Sequence, residues 1–133
     1  MNCYCCSGKR FEACCQPFIS GATKPATAEE LMRSRYSAYS TAEVEYLFRT
    51  THPATRQFHD RQALLEWANS THWQKLEIIS TVQGTATDKN GIVEFKAYFL
   101  DAENQPQIHH ESSNFVKELG KWFFMDGKVL KEN

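Results

Sequence analysis

Trp73-Gln74-Lys75-Leu76-Glu77-Ile78-Ile79-Ser80-Thr81-Val82-Gln83 is where this chain changes its hydrophobic period. Leu76, Ile78 and Val82 alternate with Glu77, Thr81 and Gln83, the pattern of a strand with one face buried. Asp88-Lys89-Asn90-Gly91 follows as a strong hairpin signal. The next strand places Val93, Phe95, Ala97 and Phe99 on a common face. A longer turn over residues 101–106 leads to two further strands, near 108–119 and 121–128, joined at Gly120.

Upstream of Trp73 the period is helical. Thr27-Ala28-Glu29-Glu30 reads as an N-cap with carboxylates in the first turn, and Thr27 and Glu30 have capping-box spacing. The helix that follows runs to about Tyr39, with Met32, Tyr36 and Tyr39 on one face and Arg35 among them. A second helix is expected over 42–50, ending before His52-Pro53 because proline disfavours helix at the preceding residue. A third fits 61–70 and turns Leu64, Leu65, Trp67 and Ala68 inward. Residues 16–25 hold two prolines and Gly21, and read as a loop. Helices first and a meander afterwards define a segregated α+β fold, an antiparallel sheet with helices packed on one face.

The 133 residues carry 15 basic and 16 acidic side chains, a net charge of −1, and nine Phe, five Tyr and three Trp. At this length a single core buries roughly two-thirds of the unfolded surface, so the fold needs no staples. Balanced charge excludes a bulk electrostatic binder of nucleic acid or of membrane surfaces, since both need a basic excess. No apolar run approaches a bilayer span, and no secretory core follows Met1. The expectation is a soluble, cytoplasmic protein.

All five cysteines, Cys3, Cys5, Cys6, Cys14 and Cys15, fall in the first fifteen residues. An odd count without an export signal is poor material for disulfides, and adjacent cysteines bridge badly. Cys3-Tyr4-Cys5-Cys6 contains a C-x-x-C dithiol, but no strand–helix pattern follows it as a thioredoxin-like site requires. Free thiols on a loose terminus are the bland alternative. Metal ligation suits the pattern better: Cys-x-Cys, eight residues, then Cys-Cys can bring four sulfurs round one ion, the coordination structural zinc prefers. Ser7-Gly8-Lys9 supplies the turn between the halves, and Lys9 and Arg10 would offset the charge of the centre. Composition alone leaves open which four of the five bind.

Cys3-Tyr4-Cys5-Cys6-Ser7-Gly8-Lys9-Arg10-Phe11-Glu12-Ala13-Cys14-Cys15 resembles the SEC-C zinc motif, found at the end of the bacterial translocation ATPase and in several small proteins. The resemblance maps the ligands onto Cys3, Cys5, Cys14 and Cys15 and implies a structural Zn2+. Tyr4 and Cys6 depart from the usual C-P-C-G-S-G, with Cys6 standing in place of a glycine. Further segments are Leu31-Met32-Arg33-Ser34-Arg35-Tyr36-Ser37-Ala38-Tyr39, His52-Pro53-Ala54-Thr55-Arg56, and His110-Glu111-Ser112-Ser113-Asn114-Phe115 running on to Gly127. With the stretches 73–78 and 91–98, they make nearly the whole chain similar to the YchJ family. The resemblance implies a SEC-C-like motif over 1–22 and a nuclear-transport-factor-2-like α+β cone over 23–133. That family brings no established activity with it.

In such a cone the sheet curves round a cavity that helices close, and unrelated activities use that space. The candidate lining residues are Arg35, Tyr36, Tyr39, His110, Glu111 and Ser113. A guanidinium on an apolar helix face needs acceptors, and Glu111 is a natural bidentate partner. The pair either ties helix to sheet or, beside a tyrosine hydroxyl, anchors a small anion or prepares a base. Strand alternation puts Glu111, Ser113 and Phe115 on one side and His110 on the other. His109 reads as an exposed neighbour, His52 as a hydrogen-bonded helix stop, and Trp67, Trp73 and Trp122 as core or cavity wall.

Three functional classes follow. One is a zinc-stabilised interaction module, which SEC-C relatives that recruit a chaperone or touch ribosomes suggest by analogy. Another is a small-ligand binder or sensor using the cone. The third is a small-molecule enzyme working by proton transfer or hydrolysis around Arg35, Glu111 and His110. No nucleophile–base–orienter triad in the sequence supports the enzyme.

Overall fold

The computed structural model describes residues 2–130. A 3-10 turn, Phe11–Ala13, and a short helix α1, Gln16–Ser20, precede the main helix α2, Ala28–Ser40. Three more helices follow: α3, Val44–Arg49; α4, Pro53–Arg56; and α5, Arg61–Ser70. The strands are β1, His72–Gln83; β2, Asn90–Leu100; β3, Pro106–Glu118; and β4, Lys121–Val129. They form one antiparallel meander in the order β1-β2-β3-β4. This is the expected α+β architecture. Among the described residues no helix is long and apolar enough to cross a membrane.

Helix α2 starts as its sequence dictates. Thr27 Oγ1 accepts from the Glu30 amide at 3.1 Å, while Glu30 Oε1 reaches back to the Ala26 amide at 2.7 Å. It is the central element of the molecule. Leu31, Met32, Ser34, Arg35, Tyr36, Ser37 and Ala38 are all buried, because the cysteine-rich segment covers one side and the sheet the other. Ser34 and Ser37 are small enough for close neighbours: Ser34 Oγ meets the Tyr46 hydroxyl at 2.6 Å, and Ser37 Oγ meets Cys3 Sγ at 3.5 Å.

Several local expectations are corrected. Residues 16–20 form α1, with Pro17 in the first turn, where a missing amide costs nothing. Helix α3 begins later than periodicity suggests because Ala42 takes a left-handed φ of 58°. His52 starts a helix rather than stopping one, its Nδ1 accepting from the Ala54 amide at 3.0 Å. Residues 50–52 run beside β4, with the His52 amide on the Phe124 carbonyl at 2.8 Å. Helix α5 has the expected bounds, but Trp67 is 36 % exposed, at the rim rather than the centre.

In β1 a bulge falls between Ile78 and Ser80. The extra residue reverses the alternation, so Val82 pairs with Ile92 on the outer face and is 54 % exposed. The first hairpin also turns earlier than Asn90-Gly91. Its loop spans 84–89, opened by positive φ at Gln83 and Gly84 and held by Asp88, which accepts from the Thr85 amide at 2.9 Å. Gly91 lies within β2, where a Cβ would stand 2.6 Å from the Gly84 Cα. The glycine pair lets the hairpin touch the start of α2, where the Ala28 amide donates to the Gly84 carbonyl at 2.9 Å.

Candidate metal centre and aromatic pocket

The N-terminal segment folds back on itself through a bridge between Asn2 and Arg10, with the Cys3 amide on the Lys9 carbonyl at 2.8 Å. The turn between them passes through two left-handed residues, Cys6 at φ 65° and Gly8 at φ 87°. The position of Cys6 thus asks for a conformation that glycine adopts freely, and the Cys6 side chain is exposed with its sulfur near the Tyr4 carbonyl.

The other four sulfurs, of Cys3, Cys5, Cys14 and Cys15, all lie within 4.8 Å of one another. Cys5 to Cys14 is 3.7 Å and Cys14 to Cys15 is 3.9 Å. A tetrahedral ion with metal–sulfur bonds of about 2.3 Å sets edges of about 3.8 Å, so the donor set and its spacing fit one soft divalent ion. Cys3, Cys5 and Cys15 are 4, 0 and 1 % exposed and belong to the main buried cluster. Hydrogen bonding with Cys15 draws the Cys5 thiol down to about 4, against burial, which raises it. Burial raises Cys14, and the bond to Cys5 together with burial raises Cys15. Thiols sharing so small a volume ionise together only around a cation.

One basic group that contacts the knot has no assigned role in the sequence reading. Arg33 on α2 donates from Nη1 to the Cys5 carbonyl at 2.7 Å and from Nε to Glu29 at 3.0 Å. Arg10 instead pairs with Glu12 at 3.6 Å in solvent. A helix position twenty-eight residues away carries no local signal for this contact.

Across α2 from the knot lies a pocket of about 170 Å³. Arg35, Tyr36, Tyr39, Glu111 and Ser113 line it, together with Trp67, Trp73, His59, His109 and Phe124. His110 does not: it faces the opposite side of β3, its Nε2 2.7 Å from Glu94. The trio Arg35, Glu111 and His110 is therefore not assembled in one place. His109 takes the inward position, with Nε2 2.8 Å from Glu111 Oε1 and its ring 5.9 Å from that of Trp67. The alternation that groups Glu111 with Ser113 also includes residue 109.

Arg35 and Glu111 make no direct ion pair. Arg35 is 5 % exposed, and its Nη1 donates to the Leu47 carbonyl at 2.9 Å and to Thr50 Oγ1 at 2.7 Å, with Thr51 Oγ1 at 3.4 Å. Its guanidinium carbon lies 4.6 Å from the centre of the Phe124 ring. These carbonyl and hydroxyl acceptors at the end of α3 replace the expected carboxylate. Glu111 is held instead by His109 and by the Ser113 hydroxyl, and its carboxylate lies over Gly127, where a Cβ would stand 2.6 Å from its Cδ. Burial pushes Glu111 up, but those two donors and the charges of His109 and Arg35 leave it below the usual carboxylate value. Burial, then Arg35, lowers His59. The Trp73 indole N–H is buried with no acceptor among the described residues.

A four-thiol knot packed on the first helix of an α+β cone is the class that this fold and site define. The family model described as "YchJ, middle NTF2-like domain" matches residues 27–127. The chain belongs to the YchJ family. A UPF0225 protein of Geobacter sulfurreducens is 45 % identical over 129 residues, covering 97 % of this chain and 80 % of the relative. The solution structure of a SEC-C motif containing protein from Rhodopseudomonas palustris matches with a TM-score of 0.89 and 34 % identity, over 98 % of this chain and all of that one. A crystal structure of a SEC-C motif containing protein from Psychrobacter arcticus matches with a TM-score of 0.79 and 35 % identity, over 96 % and 76 % of the two chains.

Proposed function

We propose that this protein is a zinc-stabilised small-ligand-binding module. Zn2+ held by Cys3, Cys5, Cys14 and Cys15 is structural, since four protein sulfurs leave no position for water or substrate. The observation that carries the reading is the convergence of those four sulfurs on one side of α2 while the other side lines the pocket. Metal binding therefore supports the same helix that presents Arg35, Tyr36 and Tyr39. Thiolate ligands require a reducing compartment, in keeping with a cytoplasmic protein. The exposed side of the knot, where Lys9 and Arg10 stand in solvent, is the surface offered to a protein or ribosome-associated partner.

Elemental analysis and native mass spectrometry of protein purified under reducing conditions test the metal. About one zinc per chain is expected. Freshly reduced, folded protein that carries no zinc and takes up none would overturn the reading.

A further inference from the structure

The polar groups of the aromatic pocket are unequally shared between donors and acceptors. Its carboxylate, Glu111, already receives His109 on one oxygen and Ser113 on the other. Its donors are underused. Arg35 spends only Nη1 on the protein, so Nε and Nη2 have no partner among the described residues. The Tyr39 hydroxyl makes no hydrogen bond to the described residues, and the Trp73 indole N–H is buried without an acceptor. Neither nitrogen is fully shut off from solvent, although the residue as a whole is 5 % exposed, so water can serve both. A ligand that supplies two acceptors in fixed geometry takes the place of that water.

The idle pair also has a shape. Nε and Nη2 lie on one edge of the guanidinium and offer two parallel N–H groups, the fork that matches the two oxygens of a carboxylate. The walls beside it are aromatic: Trp67 and Trp73 meet edge to face at 5.1 Å, and Tyr39 meets Trp67 at 5.1 Å. A volume of about 170 Å³ falls below the roughly 300–1,000 Å³ of drug-sized pockets, so the occupant is compact. The geometry points to a small aromatic monocarboxylate, its carboxylate on the free edge of Arg35 and its ring against Tyr39, Trp67 and Trp73. This rests on the reading of the cone as a ligand site.

The probes are benzoate and phenylacetate against benzamide and benzylamine, titrated into the zinc-loaded full chain by calorimetry and by tryptophan fluorescence. The acids are expected to bind at least roughly tenfold more tightly than the neutral and cationic probes. Arg35→Lys, checked for unchanged zinc content and circular dichroism, should abolish that preference, because a lysine offers no fork. Should Arg35→Lys fail to fold, Tyr39→Phe keeps the ring, removes only the hydroxyl, and should weaken the acids severalfold. Amide or amine binding as tightly as the acids would overturn the anion assignment and leave the ligand site standing. Binding by none of the four would overturn both. Acids that bind equally well to Tyr39→Phe and to folded Arg35→Lys are bound elsewhere, which also overturns the assignment.

Discussion

Replacing Cys14 with serine should perturb the proposed zinc site at its least buried thiol, whose sulfur lies 3.7 Å from that of Cys5 and 3.9 Å from that of Cys15. Serine keeps the backbone and leaves three sulfurs in place, but offers a hard, protonated oxygen where a soft thiolate stood. Structural zinc in comparable knots contributes about 10–16 kcal/mol. Divided over four thiolates this is about 3–4 kcal/mol for one, a weakening of about 10²–10³-fold. The assay is competition for zinc with a chromophoric chelator, in reduced protein. Because Cys3, Cys5 and Cys15 share the buried cluster with Leu31 and Met32, zinc release should also lower the thermal midpoint. The strand signal in circular dichroism should persist, since the four-stranded ladder makes its own hydrogen bonds. Cys6→Ser is the control: exposed and pointing at the Tyr4 carbonyl, it should leave zinc affinity unchanged. Retention of zinc by Cys14→Ser within about threefold of wild type, or an equal loss in Cys6→Ser, would refute the ligand assignment.

Three further outcomes are expected. Gly91→Ala drives a Cβ to 2.6 Å from the Gly84 Cα, a backbone atom that cannot swing aside; it should cost about 3 kcal/mol and about 10 °C in thermal midpoint, and an unchanged midpoint would contradict the close hairpin–helix contact. Gly127→Ala pushes the Glu111 carboxylate off Ser113; NMR titration should show Glu111 moving up toward the ordinary carboxylate value, with stability falling by about 1–3 kcal/mol, and an unmoved titration would speak against the cradle. His59 is held below its ordinary value by burial and then by Arg35. As pH falls through about 6.5 the unfolded chain therefore takes up the proton first, and stability present above that pH is lost below it. Urea midpoints measured at about pH 7.5 and about pH 5.5 should drop more for wild type than for His59→Asn; equal drops would show that His59 is not protected. Glu111, also lowered, acts on stability only further into the acid range.

Much of the architecture was legible because it rests on short-range physics. The cap at Thr27, the break before Pro53 and the switch of period at Trp73 each act over a few residues, and all led to helices and strands near the expected places. What failed locally failed for identifiable reasons. A single inserted residue at the β1 bulge turned Val82 outward, and nothing in its neighbours marks that insertion. Ala42 and Gln83 adopt positive φ without being glycine, which composition cannot announce. His109 lines the pocket rather than facing solvent, and the same alternation that places Glu111 inward already includes it, so its position is readable from the strand pattern.

The amino-acid sequence by itself determined the helix-then-meander order, the α+β class and the clustering of five thiols, because period, punctuation and spacing are properties of adjacent residues. The resemblance to the SEC-C motif also named the four sulfurs that meet. Only the tertiary structure decided that Arg33 rather than Arg10 stands beside them, and that Arg35 turns to the end of α3 rather than to Glu111. Those outcomes depend on contacts between residues far apart in the chain, where geometry and desolvation choose among several chemically suitable partners. Charge complementarity names the candidates for Arg35; the packing of α2 between knot and sheet selects the ones it reaches.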